Sequence, residues 1–278
     1  MPTPVRDAAS TPSTAAPGYR SEPVTTPSTP REYLSLSADG TAIARAASTA
    51  ENPAVVTPAS VPPGGGAGLG TVIPVSISLP GRAVVFDYGE VISFSPSPED
   101  RQRMVEAAGV PAEDLWRAYD ADRDRLDQGL ISTTDYWLGI GAACGVRWDV
   151  PQAQRMWALD FRGWTSADPE VVRVVADLVA GGTRVALLSN AAPDYGSPFR
   201  FSPVGALFEQ VLVSGELLLL KPDPAIYRHA AEALALDPAA LVFVDNREVN
   251  VRGAESIGIT GHVYTDPTSL RAFLDSLT

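Results

Sequence analysis

The stretch Arg82-Ala83-Val84-Val85-Phe86-Asp87-Tyr88-Gly89 decides the fold class of this chain. Its apolar run is short and rich in β-branched residues, which is typical of a strand buried on both faces of a sheet. Three later segments repeat this pattern of an apolar run followed by a polar residue: 184–188 before Ser189, 211–213 before Ser214, and 241–244 before Asp245. The chain therefore contains four candidate strands with polar residues at their ends.

Helical segments separate these candidate strands. Asp168 precedes Pro169 and an apolar pattern that stops at Gly181, which are typical start and stop signals of a helix. Further helices are predicted across residues 223–234 and 251–257. Strands that alternate with helices indicate an α/β fold, a doubly wound parallel sheet with helices on both faces.

Two regions differ from this pattern. Residues 94–164 carry helical signals only, and all five tryptophans lie in or at the edge of this segment. We predict a small helical cap there, inserted into an α/β core of residues 82–93 and 165–278, because a small helical layer needs large aromatic side chains to form a core.

Residues 1–80 are rich in Pro, Ser, Thr, Ala and Gly, so we predict a disordered tail. A start codon assigned too early would give the same composition, and that alternative stays open.

The charge of the chain limits its partners. The formal net charge is −12 at pH 7. Nucleic acids and anionic membranes bind to basic patches on proteins, and a net negative charge disfavours such patches. We expect neither as a partner. No secretory or transmembrane pattern is found, so the cytoplasm is the expected location. The oligomeric state stays open, with a homodimer as one alternative.

The numbers of cysteine and histidine restrict the metal chemistry. The chain has one cysteine and two histidines. One cysteine excludes an intrachain disulfide and a cysteine-based metal cluster, and two histidines disfavour a histidine-rich metal site. Any metal is therefore expected to be held by oxygen ligands, which points to Mg²⁺.

Several polar side chains are expected to meet at one edge of the sheet, because ligands of open parallel sheets bind beyond the carboxyl ends of the strands. Asp87 would be a nucleophile that forms an aspartyl-phosphate, and Asp245 would hold Mg²⁺. Ser189 and Asn190 would donate hydrogen bonds to the substrate phosphate. Lys221, the single lysine among 21 basic residues, would neutralise both nucleophile and phosphate.

In order, these segments resemble the four motifs of the haloacid dehalogenase-like hydrolase superfamily, over residues 82 to 278. The matching stretches are Val85-Phe86-Asp87-Tyr88-Gly89-Glu90-Val91-Ile92, Leu187-Leu188-Ser189-Asn190, Lys221-Pro222-Asp223-Pro224 and Phe243-Val244-Asp245-Asn246. The helical insert resembles the cap of the subfamily in which the cap lies between motifs one and two. The resemblance implies a Rossmann-like core, a cap that closes over the substrate, and a further Mg²⁺ ligand, the backbone carbonyl of Gly89.

Two positions depart from the family pattern. Gly89 stands where most phosphatases of the superfamily have an aspartate as general acid and base, a role worth about 100- to 10,000-fold in rate. We therefore predict a slow enzyme, or a substrate with a stable leaving group such as an anomeric sugar phosphate or an acyl phosphate. Glu90 is an alternative acid, but it is one position further along the chain than the usual acid, so its side chain is expected to point away from the substrate. Asn246 replaces a frequent second acidic residue, which would weaken Mg²⁺ binding.

The leading hypothesis is a magnesium-dependent phosphatase that acts on a small phosphorylated metabolite. One alternative is a haloacid dehalogenase-type hydrolase, which would use Asp87 without a metal. Another is a non-catalytic protein of the same fold that has lost the general acid. The motifs handle only the phosphoryl group, so they do not identify the substrate.

Overall fold

The computed structural model describes residues 76–278 and, ahead of them, two short antiparallel strands, β1 (Ser35–Leu36) and β2 (Ala42–Ile43). The rest of the predicted disordered tail, up to residue 75, lies outside the described residues. The unit formed by residues 76–278 contains all the predicted site residues.

This unit is built on a five-stranded, fully parallel sheet. Its strands are β3 (Ala83–Phe86), β4 (Arg184–Ser189), β5 (Gln210–Val213), β6 (Leu241–Asp245) and β7 (Thr260–Val263). The spatial order is β5-β4-β3-β6-β7, so the first strand of the sheet lies at its centre. The predicted α/β fold with a doubly wound parallel sheet is confirmed, and the carboxyl ends of β3, β4 and β6 share one edge.

Eleven α-helices accompany the sheet in the described part of the chain. Five of them fall inside the predicted cap segment: α1 (Pro98–Ala108), α2 (Ala112–Ala121), α3 (Arg123–Asp127), α4 (Thr133–Ala143) and α5 (Val150–Trp164). The others are α6 (Pro169–Ala180), α7 (Gly196–Phe201), α8 (Ser214–Leu217), α9 (Pro224–Leu234), α10 (Glu248–Glu255) and α11 (Pro267–Asp275). Three short 3₁₀ helices cover Pro193–Tyr195, Gly205–Leu207 and Pro238–Ala240. None of the helices in this part of the chain has the length and apolar character needed to cross a bilayer.

Local capping chemistry explains where the predicted helices begin. The side chain of Asp168 accepts a hydrogen bond from the backbone of Glu170 at 2.8 Å, and Asp223 does the same for Ala225 at 2.8 Å. Each cap is followed by a proline in the first turn, where a missing N–H does no harm. These caps start α6 and α9 at the ends of the loops that lead from the site edge of the sheet.

The core strands are apolar along their whole length because both faces of the sheet are covered. Val84 and Phe86 belong to one buried apolar cluster, which also includes residues of the cap segment. Ala83, Val85 and Phe243 belong to a second cluster on the opposite face. Since side chains alternate between faces along a strand, burial on both sides requires a continuous apolar run.

The predicted boundary of the disordered tail at residue 80 is wrong for residues 76–80. Ile77 and Leu79 are buried. The backbone N–H of Ile77 bonds to the carbonyl of Asp177 at 3.2 Å, and that of Leu79 bonds to Thr183 Oγ1 at 2.9 Å. The sequence signal here is only two alternating apolar residues next to Pro80, and the composition of the preceding segment obscures it.

The cap segment meets the core at Gly129, in the turn after α3. Its φ is +74°, and a Cβ at this position would overlap the carbonyl oxygen of Gly215. We therefore expect Gly129→Ala to lower the free energy of unfolding by about 1–3 kcal/mol, as measured by urea denaturation.

Gly139, within α4, provides the matched control for this substitution. A Cβ there has no neighbour within 4 Å, so Gly139→Ala is expected to raise the free energy of unfolding by about 1 kcal/mol or less through helix propensity. Equal effects of the two substitutions would contradict the close approach of the cap to the core.

Candidate active site

The ammonium group of Lys221 lies between the two carboxyl groups that the sequence analysis singled out. Its Nζ is 2.8 Å from Asp87 Oδ1 and 2.7 Å from Asp245 Oδ2, so these two oxygens are at most 5.5 Å apart. The same Nζ donates to the carbonyl of Leu188 at 3.0 Å. Lys221 is 2% exposed and Asp245 is 0% exposed. The structure thus brings together the predicted nucleophile, metal ligand and cation.

The register of the sheet produces this convergence. Asp87 directly follows β3 and Asp245 ends β6, and these neighbouring strands pair in parallel with Phe86 opposite Val244. Asp87 Oδ1 also accepts the backbone N–H of Tyr88 at 2.7 Å. The other carboxyl oxygen, Oδ2, takes part in neither contact, and the Asp87 side chain, which is 11% exposed, lines a cavity. One oxygen is therefore held by the protein and one is open to a substrate.

Burial dominates the electrostatics of this cluster. It raises the pKa of Asp87 to about 7; the ammonium of Lys221 acts in the opposite direction, and the carboxylate of Asp245 adds to the rise. Burial alone would lower the pKa of Lys221, but the charges of Asp87 and Asp245 outweigh it, and the pKa lies above its usual value. Lys221 therefore stays protonated, and two carboxyl groups compete for one ammonium.

Asp245 is fixed from several sides. Its Oδ1 accepts the backbone N–H of Arg247 at 2.8 Å, and Asn250 Nδ2 lies 3.1 Å from Oδ1 and 3.0 Å from Oδ2. The other amide atom, Asn250 Oδ1, is buried and has no partner among the described residues. Asn250 lines the cavity, whereas Asp245 lies behind its wall. Asp245 therefore acts on the site through its charge, because its side chain is not exposed to the cavity.

Ser189 and Asn190, the two predicted substrate-binding residues, have different surroundings. Ser189 ends β4, and its side chain lines the cavity. The side chain of Asn190 is engaged with the backbone of Lys221: Oδ1 accepts its N–H at 2.9 Å and Nδ2 donates to its carbonyl at 3.0 Å. Asn190 thus positions the lysine, which leaves the hydroxyl of Ser189 as the less constrained donor.

Position 89, where the family acid is replaced by glycine, is covered by an aromatic ring. A Cβ on Gly89 would lie 3.4 Å from Cζ3 and 3.8 Å from Cε3 of Trp164. A larger side chain at this position would have to pass along the indole of Trp164. Trp164 also lines the cavity that Asp87 lines.

Glu90, the alternative acid, has both carboxyl oxygens occupied. Its Oε1 accepts a hydrogen bond from Ser95 Oγ, and its Oε2 accepts one from Asn246 Nδ2 at 2.6 Å. Its φ of +60° lies in the left-handed region, which is uncommon for a side chain of this size. These contacts direct the Glu90 carboxylate towards Ser95 and Asn246.

A cavity of about 240 Å³ connects this cluster with the cap segment. Besides the residues already described, it is lined from the cap segment by Tyr119, Arg123, Asp124 and Asp127, and from the core by Tyr195, Phe199 and Arg247. The predicted cap segment therefore contributes both charged and aromatic side chains to the cavity that Asp87 lines.

A buried polar network that the sequence pattern did not predict links Arg123, Asp127 and Asp160 in the cap wall, the face of the predicted cap segment that borders the cavity. Arg123 Nε donates to both oxygens of Asp127 at 3.0 Å, and Nη1 donates to Tyr119 Oη and to Asp160 Oδ2, the latter at 3.4 Å. Asp160 also accepts the hydroxyls of Tyr119 at 2.8 Å and Tyr195 at 3.3 Å. Burial raises the pKa of Asp127 to about 6, against the opposing effect of Arg123. The four-residue spacing of Arg123 and Asp127 was the available signal.

Comparison with known proteins identifies the family. The sequence model described as haloacid dehalogenase-like hydrolase matches residues 81–258. The chain belongs to the haloacid dehalogenase-like hydrolases, which confirms the resemblance that the four motifs indicated.

Individual relatives include more than one activity. A sesquiterpene phosphatase from Aspergillus oryzae is 23% identical over 190 residues, covering 66% of this chain and 90% of that protein. The (S)-2-haloacid dehalogenase 4A from Burkholderia cepacia is 29% identical over 184 residues, covering 64% of this chain and 80% of that protein.

A solved structure shares the fold. It is a haloacid dehalogenase-family enzyme from Bacteroides thetaiotaomicron in complex with magnesium and inorganic phosphate. It has a TM-score of 0.56 and 20% identity, covering 68% of this chain and 98% of that chain. The family match identifies a hydrolase, and the two relatives named above are a phosphatase and a dehalogenase.

Proposed function

We propose that this chain is a magnesium-dependent phosphatase that hydrolyses a small phosphorylated metabolite through an aspartyl-phosphate at Asp87. The observation that carries the proposal is the cluster of Asp87, Lys221 and Asp245, in which two carboxyl groups share one ammonium and one Asp87 oxygen is open to the cavity. A second buried carboxylate beside the nucleophile favours a site that also holds a divalent cation.

The oxygen atoms at this site suit magnesium. Among residues 76–278, no group of three or more Asp, Glu, His or Cys side chains is arranged to hold a metal. Mg²⁺ does not need such a group, because it is usually bound by one or two carboxylates and keeps several waters. Asp87 and the backbone carbonyl of Gly89 would hold the ion, with the charge of Asp245 in support. The unpartnered Asn250 Oδ1 is a further oxygen at the same wall. Bound magnesium supplies positive charge that offsets the negative charge of the transferred phosphoryl group.

The side chains of the cluster divide the work. Asp87 Oδ2 attacks phosphorus, so that a new oxygen–phosphorus bond forms while the bond to the leaving-group oxygen breaks. Lys221 stays protonated, holds Asp87 Oδ1 and offsets the added negative charge. The hydroxyl of Ser189 donates to a phosphate oxygen. Water then attacks phosphorus, the bond between phosphorus and Asp87 Oδ2 breaks, and the protons of the water leave with the inorganic phosphate, which restores the carboxylate of Asp87.

The covered position at Gly89 favours substrates that need no proton from a neighbouring acid. Trp164 lies where that side chain would extend, and the Glu90 carboxylate is bonded to Ser95 and Asn246. Anomeric sugar phosphates and acyl phosphates meet this requirement because their leaving groups are stabilised chemically. We therefore place the substrate among such compounds.

Dehalogenation is the second candidate, because one relative described above is a 2-haloacid dehalogenase. That reaction would use the same Asp87 but requires a site for the carboxylate of the haloacid and for the released halide. In the cap wall, Arg123 is already paired with Asp127 and Asp160. These two carboxylates offset the charge of Arg123, so the carboxylate of a haloacid would lack a free cation there, whereas a phosphoryl group would be held at Lys221.

Chelation separates these activities. With acetyl phosphate and a panel of phosphorylated metabolites, we expect release of inorganic phosphate to fall by about 100-fold or more in EDTA and to return with added Mg²⁺, since a catalytic ion contributes several kcal/mol. Hydrolysis of 2-chloropropionate in EDTA would instead identify a dehalogenase. A protein inactive on both compound classes would support the non-catalytic alternative.

A further inference from the structure

We propose that the cavity selects an uncharged, hydroxylated leaving group, and that Arg123 determines this specificity. The inference rests on the proposed phosphatase function, because it concerns the part of a phosphorylated substrate that remains after phosphoryl transfer. The inference is carried by the hydrogen-bond donors, the charged groups and the aromatic rings that line the cavity.

Arg123 is held in a fixed orientation with donors to spare. Its Nε is bonded to Asp127, and its Nη1 to Tyr119 and Asp160. The remaining nitrogen, Nη2, donates to none of these three side chains, and the Arg123 side chain is 20% exposed. A guanidinium carries five N–H donors in a planar fork, so the two on Nη2 are available to a ligand in the cavity that Arg123 lines.

The groups around Arg123 suit an uncharged hydroxyl better than an ionic group of either sign. Asp124 lines the cavity beside it, and Asp127 and Asp160 are within ion-pair distance of its guanidinium. Three carboxyl groups around one guanidinium repel a second phosphate or a carboxylate of the substrate. An ammonium group would be attracted by these carboxyl groups but cannot accept a hydrogen bond from Nη2. An uncharged hydroxyl meets neither penalty, because its oxygen accepts from Nη2 and its hydrogen donates to a carboxylate such as Asp124.

Aromatic rings form the other part of the wall. Tyr88 and Phe199 stack with centroids 4.1 Å apart, and Tyr195 follows at 5.5 Å from Phe199. Trp164 lines the cavity near Gly89. Aromatic rings pack against the C–H faces of a polyol, while its hydroxyl groups need polar partners around the rings. A cavity of about 240 Å³ restricts the ligand to small compounds such as sugar monophosphates.

Three sugar phosphates with the same anomeric leaving oxygen test the role of charge. They are glucose 1-phosphate, glucose 1,6-bisphosphate and glucosamine 1-phosphate, which present a neutral, an anionic and a cationic leaving group. We expect kcat/KM for the neutral compound to exceed that for each charged compound by about 10- to 100-fold, the range for one hydrogen bond to a charged group. Equal values, or a preference for a charged compound, would overturn the inference.

The Arg123→Lys protein tests the role of the residue itself. Lysine keeps a positive charge for Asp127 and Asp160 but has no second nitrogen for the ligand. We expect the ratio of kcat/KM for glucose 1-phosphate to that for acetyl phosphate to fall about 10-fold, mainly through KM. A purely structural role of Arg123 would lower both values alike and leave the ratio unchanged.

A second variant keeps the test informative if Arg123→Lys does not fold. Asp124→Asn removes a cavity carboxylate that makes no ion pair among the described residues, so it is expected to reduce discrimination against the bisphosphate by about two- to five-fold. Asp122→Asn, an exposed acid nearby that does not line the cavity, should leave discrimination unchanged. If Asp124→Asn discriminates against the bisphosphate as strongly as Asp122→Asn does, the inference is contradicted.

The two proposals fail in different ways. A parent protein that hydrolyses acetyl phosphate but shows no preference among the three sugar phosphates overturns the specificity inference alone. A parent protein with no phosphate release from any compound overturns the proposed function, and the specificity inference with it.

Discussion

The Asp87→Asn protein is expected to release phosphate from acetyl phosphate about 10⁴-fold more slowly than the parent, a loss typical of removing a covalent nucleophile. Asparagine matches aspartate in size and retains an oxygen that can accept the N–H of Tyr88. It cannot form an acyl phosphate by displacement at phosphorus. Initial rates of both proteins at saturating Mg²⁺ give the comparison.

A matched substitution separates this effect from general damage. Asp168 caps α6 through a hydrogen bond from Glu170 at 2.8 Å, and asparagine is an equally good cap. Asp168→Asn should therefore retain the parent activity. Near-parent activity of Asp87→Asn would remove Asp87 from the reaction and with it the proposed mechanism.

Replacement of Lys221 by methionine is expected to give the largest loss of stability. The ammonium is buried and lies 2.8 Å and 2.7 Å from the carboxyl oxygens of Asp87 and Asp245, and methionine would leave both carboxyl groups without it. Removing one partner of a buried ion pair costs about 3–5 kcal/mol. We expect a decrease of that size in the free energy of unfolding from urea denaturation at pH 7, together with a loss of activity of about 10³-fold.

Arg184 offers the control for this prediction. It pairs with Glu209 at 2.6 Å, but both side chains are more than a third exposed, and exposed ion pairs contribute about 0–1 kcal/mol. Arg184→Met should therefore change the free energy of unfolding far less than Lys221→Met. Equal effects would show that the buried cluster has no special part in stability.

The general fold could be predicted because local patterns and the topology agree. The apolar runs before Asp87 and Asp245 have one physical solution, a strand covered on both faces, and parallel strands bring their carboxyl ends to one edge. The same rule predicted that both aspartates would meet near Lys221. Ile77 and Leu79 were missed because their burial depends on Asp177 and Thr183, which are about 100 residues away in sequence.

The cap wall shows what a single sequence does not reveal. Arg123 and Asp127 are four residues apart on one helix, a spacing found on many solvated helices. Their place in the cavity depends on Asp160 and Tyr195, which come from distant segments. The packing of Trp164 over Gly89 is equally non-local, and so is the bond between Asn190 and the backbone of Lys221.

The most direct measurement is to trap the covalent intermediate. The parent protein is mixed with acetyl phosphate and Mg²⁺, quenched in acid during turnover, digested and examined by tandem mass spectrometry. The account predicts a phosphoryl group on the carboxylate of Asp87, absent from the Asp87→Asn protein. Phosphate release with the adduct on another residue, or with no adduct under conditions that trap a known aspartyl-phosphate enzyme, would contradict it.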